Sequence, residues 1–231
     1  MRGDCLIFGE GSNIFLKLEP HRLGRSNILQ GEFVRLFKGN FPARKESGIS
    51  IDHSQREYHM KITTLAELIE EELKDIYSAE SQLVEALPKM AEAVQSKDLR
   101  AAFEKHLEQT RLHLQRIEEI CTDLHVSPTG EKCKGMEGLI QEGEEVIQSD
   151  MELEPKQAAL IGAAQRVEHY EIAAYGTARA HARQLGYLKA FDLLSKSLDE
   201  EKDTDQKLTQ LAENRVNVKA AMSSEGVDSV K

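Results

Sequence analysis

The feature that most constrains this chain is a set of four apolar stripes, each repeating every three or four residues, joined by connections that run short, long, short. Such a period places the apolar side chains on one face of a helix. The first stripe holds Leu65, Leu68, Ile69, Leu73, Ile76, Leu83 and Leu87. It opens on Thr64-Leu65-Ala66-Glu67, in which a hydroxyl and a carboxylate can satisfy each other's backbone donors. Pro88 lacks an N–H to donate and is expected to kink this helix. Ser96-Lys97-Asp98 reads as a tight turn, with Asp98 available to cap a second helix that carries Leu99, Phe103, Ile117, Ile120 and Leu124. Ser127-Pro128-Thr129-Gly130 stops it.

Residues 125–154 form the long connection, with room for a short helix from Met136 to Ile147. Pro155 suits the first turn of a third helix, whose face is Leu160, Ile161, Ala164, Val167, Ala174 and Ala178, and Gly186 closes it. A fourth helix carries Leu188, Phe191, Leu194, Leu198, Leu208 and Ala212. The chain after about Arg215 is small and polar and is expected to fray. Short loops join antiparallel neighbours, and a single long crossover is the ferritin-like arrangement. The expected fold is therefore all-α: a ferritin-like four-helix bundle over residues 60–221, with a long crossover between its second and third helices and a frayed tail over 222–231.

Residues 1–59 are of a different kind. They hold nine Lys or Arg and seven Asp or Glu, whereas the remainder holds 21 and 33. Their glycines are scattered and no helical period is sustained. Residues 5–8 and 33–37 are weak strand candidates. Patterning begins abruptly at Met60, which makes Met60 the expected initiator and residues 1–59 an upstream, largely disordered extension; a small appended module is the alternative.

The whole chain carries a net charge of -10, which speaks against a general nucleic-acid binder. No run reaches the roughly 18–20 apolar residues of a membrane span. Neither does the start show a secretory signal. Three cysteines without zinc spacing suit a reduced, cytoplasmic chain.

Each apolar stripe is interrupted by polar residues near its middle. Glu80 lies between Ile76 and Leu83. His106, Thr110 and His113 lie between Phe103 and Ile117. Glu168 and Glu171 sit one turn apart beside Val167 and Ile172, and Glu201 and Asp205 lie between Leu198 and Leu208. A single acid beside a helical stripe ordinarily reaches solvent or pairs with Lys or Arg. Repetition on all four helices is harder to explain that way. Buried carboxylates cost several kcal/mol each unless paired or bound to a cation. Two metal ions would remove the repulsion, and carboxylate with imidazole suits iron, manganese or zinc.

At these positions the chain resembles a known family. Ala79-Glu80-Ser81-Gln82, Val167-Glu168-His169-Tyr170-Glu171-Ile172 with Tyr175-Gly176, and Leu198-Asp199-Glu200-Glu201-Lys202-Asp203-Thr204-Asp205 are similar to the YciE/YciF stress proteins, ferritin-like bacterial proteins. The likeness runs from about Met60 to Ala221 and leaves residues 1–59 uncovered. The wider ferritin–rubrerythrin superfamily places Glu on its first helix, Glu-x-x-His on its second, one or two Glu on its third and Glu-x-x-His on its fourth.

Carried over by position, the resemblance implies Glu80, His113, Glu168, Glu171 and Glu201 as metal ligands. Thr110 and Thr204 stand where the superfamily has Glu and His, and His106 and Asp205 are the substitutes at hand. The resemblance further implies a stress-response protein with two metal ions, iron foremost, that reacts with peroxide or dioxygen or sequesters iron. A homodimer is also implied. A non-catalytic, stress-induced oligomeric bundle is the alternative. A cage-forming iron store is disfavoured, since nothing resembles the short fifth helix of ferritins. Tyr77, Tyr170 and Tyr175 lie near these ligands in sequence, either to carry electrons or to pack with a hydroxyl partner. Cys121 and Cys133 read as packing residues, with a redox role as the alternative.

Overall fold

A computed structural model describes residues 7–10, 13–16 and 61–225. The chain divides into two units, residues 1–57 and 58–231. In the first, strands β1 (Ile7–Glu10) and β2 (Asn13–Leu16) pair antiparallel. The expected strand at 33–37, the expected disorder of the remaining residues up to 59 and the expected initiator Met60 lie outside the described residues.

The regular structure among the described residues of the second unit is all helical. Its elements are α1 (Leu65–Ala93), α2 (Lys97–Leu124), α3 (Lys134–Gln148), α4 (Leu153–Leu185) and α5 (Leu188–Leu211), followed by a π-helical turn (Ala212–Val216) and α6 (Asn217–Glu225). The expected capping box is formed: Thr64 Oγ1 accepts from the Glu67 amide and Glu67 accepts from the Thr64 amide. Pro88 lies within α1, which runs on past it to Ala93. Ser96, not Asp98, caps α2 by accepting from the Leu99 amide. Asp98 falls one residue inside the first turn and pairs with Arg215. Gly186 ends α4 at φ 76°, a conformation that favours glycine. The chain after Arg215 does not fray at once. The π turn and α6 extend α5, and Val216 is buried against the core.

Helix α1 packs on α2 and α4, and α5 packs on α4 and α2, while the backbones of the diagonal pairs stay apart and meet only through side chains. The four helices therefore form a square bundle. Its two apolar cores reveal the directions. One core gathers Leu73 and Ile76 of α1, Ile117 and Ile120 of α2, Tyr175 and Ala178 of α4, and Leu194 and Leu198 of α5. The other gathers Met90, Phe103, Leu160 and Leu208 from the opposite ends of the same helices. All neighbours are thus antiparallel, and the diagonal helices α2 and α4 run the same way. The chain must travel the length of the bundle between them, which is why this connection is long. Helix α3 makes that journey over α1 and α4 and covers a third apolar cluster containing Leu83, Met136 and Val167. It is seated closely: a Cβ at Gly135 would lie 2.8 Å from the Tyr170 ring.

The turn between α1 and α2 is held by a residue from α4. Buried Gln157 accepts hydrogen bonds from the amides of Gln95 (3.0 Å) and Ser96 (2.7 Å). Replacing it with leucine removes the acceptor for both. Gln157→Leu is expected to lower unfolding stability by about 1–3 kcal/mol, measured by chemical denaturation; an unchanged midpoint would contradict this role.

Candidate metal centre

Between the two apolar cores lies a polar layer. Each helix contributes residues at mid-length: Glu80 from α1, His106, Thr110 and His113 from α2, Glu168 and Glu171 from α4, and Glu201 from α5. All of them are at most 2% exposed. Their spacing explains the convergence. Residues 106, 110 and 113 repeat at helical intervals in line with Phe103 and Ile117, so the stripe that builds both cores also builds the layer between them.

The layer holds two overlapping groups. In one, His106, Glu168, Glu171 and Glu201 bring one potential ligand atom each within 4.8 Å of one another; in the other, Glu80, His113 and Glu201 do the same. Glu201 belongs to both. His106 Nε2 is 3.3 Å from Glu168 Oε1, and 4.0 and 3.9 Å from Glu171 and Glu201. His113 Nδ1 lies 3.1 Å from Glu80 Oε1 and 2.8 Å from Glu201 Oε1. The Tyr175 hydroxyl, fully buried, donates to Glu80 Oε1 at 2.5 Å. That ring also stands edge-on to His113 at 5.7 Å.

Six of the seven residues expected as ligands are thus brought together. Asp205 is not in either group. It is one turn beyond Glu201 on a half-buried position, where it accepts from Gln165 Nε2 at 3.0 Å and lies 3.6 Å from the exposed His169. The two threonines turn their hydroxyls back to their own helices. Thr110 donates to the His106 carbonyl and Thr204 to the Glu200 carbonyl, both at 3.0 Å.

Two further residues touch the centre that the stripes did not single out, Glu200 and Arg116. Glu200 Oε2 is 2.8 Å from His113 Nε2 and accepts from Arg116 at 2.7 Å. Arg116 also reaches Glu200 Oε1 at 2.9 Å and Ser197 Oγ at 3.2 Å. Glu200 was hidden by its neighbour: in an acidic run only the residue in phase with the apolar stripe stands out. The spacing of His113 and Arg116, one turn apart, was the available signal.

Tyr77, Tyr170 and Cys133 have ordinary hydrogen-bond partners. Tyr77 donates to Glu118, and Tyr170 to Asp75. Cys121 and Cys133 are both free thiols in buried positions, and burial pushes both above the ordinary thiol range. Cys133 caps α3 through its sulfur, which accepts from the Met136 amide.

The electrostatics are those of crowded, desolvated acids. Burial first, and neighbouring carboxylates second, hold Glu168 and Glu171 well above the usual carboxylate range. Burial also raises Glu80 despite its contact with His113. Burial lowers His106. For His113 burial works against the charge, but hydrogen bonds to Glu200, Glu201 and Glu80 prevail and push it up to about 11. Glu201 is likewise held low against the effect of burial by His113.

A cation fits this donor set. Among the described residues, buried oxygens of Glu80, Glu168, Glu171 and Glu201 and both ring nitrogens of His106 lack a hydrogen-bond partner. Such atoms are costly in a dry core unless something else satisfies them. Four ionised carboxylates balance the charge of two divalent cations, and the mixture of oxygen and imidazole nitrogen suits iron, manganese or zinc.

The fold and this layer place the chain among ferritin-like helical bundles with a carboxylate–histidine centre. Residues 64–221 match the domain of unknown function DUF892, and the chain belongs to that family. It is 49% identical to protein YciF of Escherichia coli strain K12 over 162 residues, which covers 70% of this chain and 98% of YciF. The crystal structure of the E. coli stress protein YciF superposes with a TM-score of 0.66 at 48% identity, covering 68% of this chain and 99% of that one. YcfI from Rhodopseudomonas palustris gives 0.64 at 38% identity, over 66% of this chain and 97% of its own. A protein from Xanthomonas campestris shares the fold with a TM-score of 0.56 at 19% identity, over 71% and 99%. The expected likeness to the YciE/YciF stress proteins is thus met over the bundle.

The raised carboxyls make a pH prediction for the metal-free chain. An acid whose folded pKa lies above its unfolded value keeps a proton that the unfolded chain has shed. Stability then falls as pH rises above 4.5, the ordinary value for Glu80, Glu168 and Glu171. His113, raised from 6.5, acts in the same direction above 6.5, and lowered His106 opposes it only near and below 6.5. Thermal unfolding in a chelating buffer should therefore occur at a lower temperature near about pH 8.5 than near about pH 5.5. A flat or rising profile would contradict this account.

Proposed function

We propose that this chain is a stress-response ferritin-like protein whose buried layer binds two metal ions, with iron foremost and manganese or zinc as chemical alternatives. The carrying observation is the set of buried carboxylate and imidazole atoms left without hydrogen-bond partners between two apolar cores. One position draws on His106, Glu168, Glu171 and Glu201, the other on Glu80, His113 and Glu201. In this reading His106 supplies the nitrogen ligand that Thr204 lacks, and Asp205 stays outside.

A bound pair of irons would supply electrons to peroxide or dioxygen, or would simply be kept from making radicals in solution. The protein's own contribution is positional. The apolar cores exclude water from both ends of the layer. Neutral His106 offers a lone pair, and Glu201 reaches both positions from one helix. The Tyr175 hydroxyl fixes Glu80 and leaves that residue's second oxygen free. Uptake of cations requires Glu168 and Glu171 to give up protons, so metal binding should strengthen as pH rises.

A second reading is a non-catalytic oligomeric bundle in which any metal is structural. It is favoured by the relative YcfI, suggested to be a structural protein, and by the two threonines that turn away from the layer. We further propose a cytoplasmic homodimer; no helix among the described residues is long and apolar enough to cross a membrane.

The readings separate by metal content and oxidant turnover. Protein purified from iron- and manganese-supplemented cells should contain about two metal ions per chain by elemental analysis, in keeping with the two donor groups. Glu171→Ala should lose at least one of them, and Glu80→Ala and Glu171→Ala should abolish peroxide consumption while remaining helical. Full turnover in both variants would remove the oxidant chemistry. No metal in a folded, helical wild type would turn the acids into a structural network and leave the second reading.

A further inference from the structure

Glu200 and Arg116 form a clamp on the outer edge of His113, and the geometry points to a positioning role: the clamp sets which ring nitrogen of His113 is presented to a metal ion. This inference rests on the metal reading above. His113 has no exposed surface, and its two nitrogens face different surroundings. Nδ1 looks inward to Glu80 and Glu201, and Nε2 looks outward to Glu200 Oε2 at 2.8 Å. The carboxylate accepts from Nε2–H and so leaves the proton on the outer nitrogen. The Nδ1 proton, which faces Glu80 and Glu201, is then the one that a cation displaces, and Nδ1 is the lone pair that it takes.

Glu200 alone would be a poor clamp, since its side chain is 30% exposed and has several rotamers. Arg116 removes that freedom. Its two terminal nitrogens meet both Glu200 oxygens, at 2.7 and 2.9 Å, in the forked pairing that guanidinium and carboxylate favour. Ser197 Oγ, on a fully buried residue one turn before Glu200, accepts a further hydrogen bond from Arg116 Nη1 at 3.2 Å. The clamp thus spans α2 and α5, the two helices that must stay in register for Glu201 and His113 to meet. The neighbouring acids on α5 have divided labour: Glu201 turns into the layer, and Glu200 works from its edge.

The test uses the full chain, stripped of metal and titrated with cobalt(II), with binding followed by visible absorption and elemental stoichiometry. Wild type should take up two cobalt ions per chain, one for each donor group. Glu200→Ala should weaken the His113 position roughly 10–100-fold and spare the other. Arg116→Leu, which leaves Glu200 in place but unclamped, should weaken the same position to a lesser degree. Glu200→Gln, which keeps an acceptor, should restore part of the loss. The ring itself is read without metal: a slowly exchanging His113 Nε2–H resonance in wild type should vanish in Glu200→Ala. Its persistence there, or two equally tight cobalt ions in both clamp variants, would overturn the positioning role while leaving the metal reading intact. A wild type that binds no cobalt would overturn the metal reading itself.

Discussion

Four carboxylates and two imidazoles share one buried layer at the middle of the bundle, and every element around them is arranged so that they can. The two apolar cores above and below provide the burial that holds the helices together. They also deprive the acids of water. The cost of that burial is visible in the protonation of Glu168 and Glu171, which hold protons at pH values where an exposed glutamate would not. Hydrophobic packing and charge burial are thus opposed within the same few ångströms, and whatever occupies the layer acts on the whole fold.

Most of the bundle could be read from the spacing of its apolar residues. The stripes of α1, α2, α4 and α5, the capping box at Thr64, the glycine at 186 and the short helix in the crossover all came from local rules. So did the polar interruptions, because Glu80, His106, His113 and Glu201 fall in phase with the leucines and isoleucines beside them. Asp205 falls in the same phase and yet stands outside. It is one turn beyond Glu201, where Gln165 and Thr209 of the neighbouring seam offer polar company and partial solvent. A stripe about 100° wide does not distinguish its centre from its edge.

What was not legible depended on contacts between helices. Ser96 rather than Asp98 caps α2, a shift of two residues that hinges on where the turn held by Gln157 ends. The continuation past Arg215 depends on a π turn that returns Val216 to the core, and no local propensity signals such a turn. Glu200 and Arg116 are both ordinary surface types in sequence. Their meeting across 84 residues is a property of the packed bundle alone.

If the layer takes up two ions as proposed, the shared position of Glu201 has a thermodynamic consequence. A side chain that serves two donor groups makes their occupancies mutually dependent, since the oxygen engaged on one side changes the charge and orientation offered on the other. The dependence is reciprocal by linkage: whatever factor the first ion applies to the second, the second applies to the first. On the proposed reading the bundle would act as one two-site binding unit coupled through the carboxylate that both donor groups share, and the sign of that coupling, cooperative or antagonistic, would be set by how far the carboxylate can turn between the two.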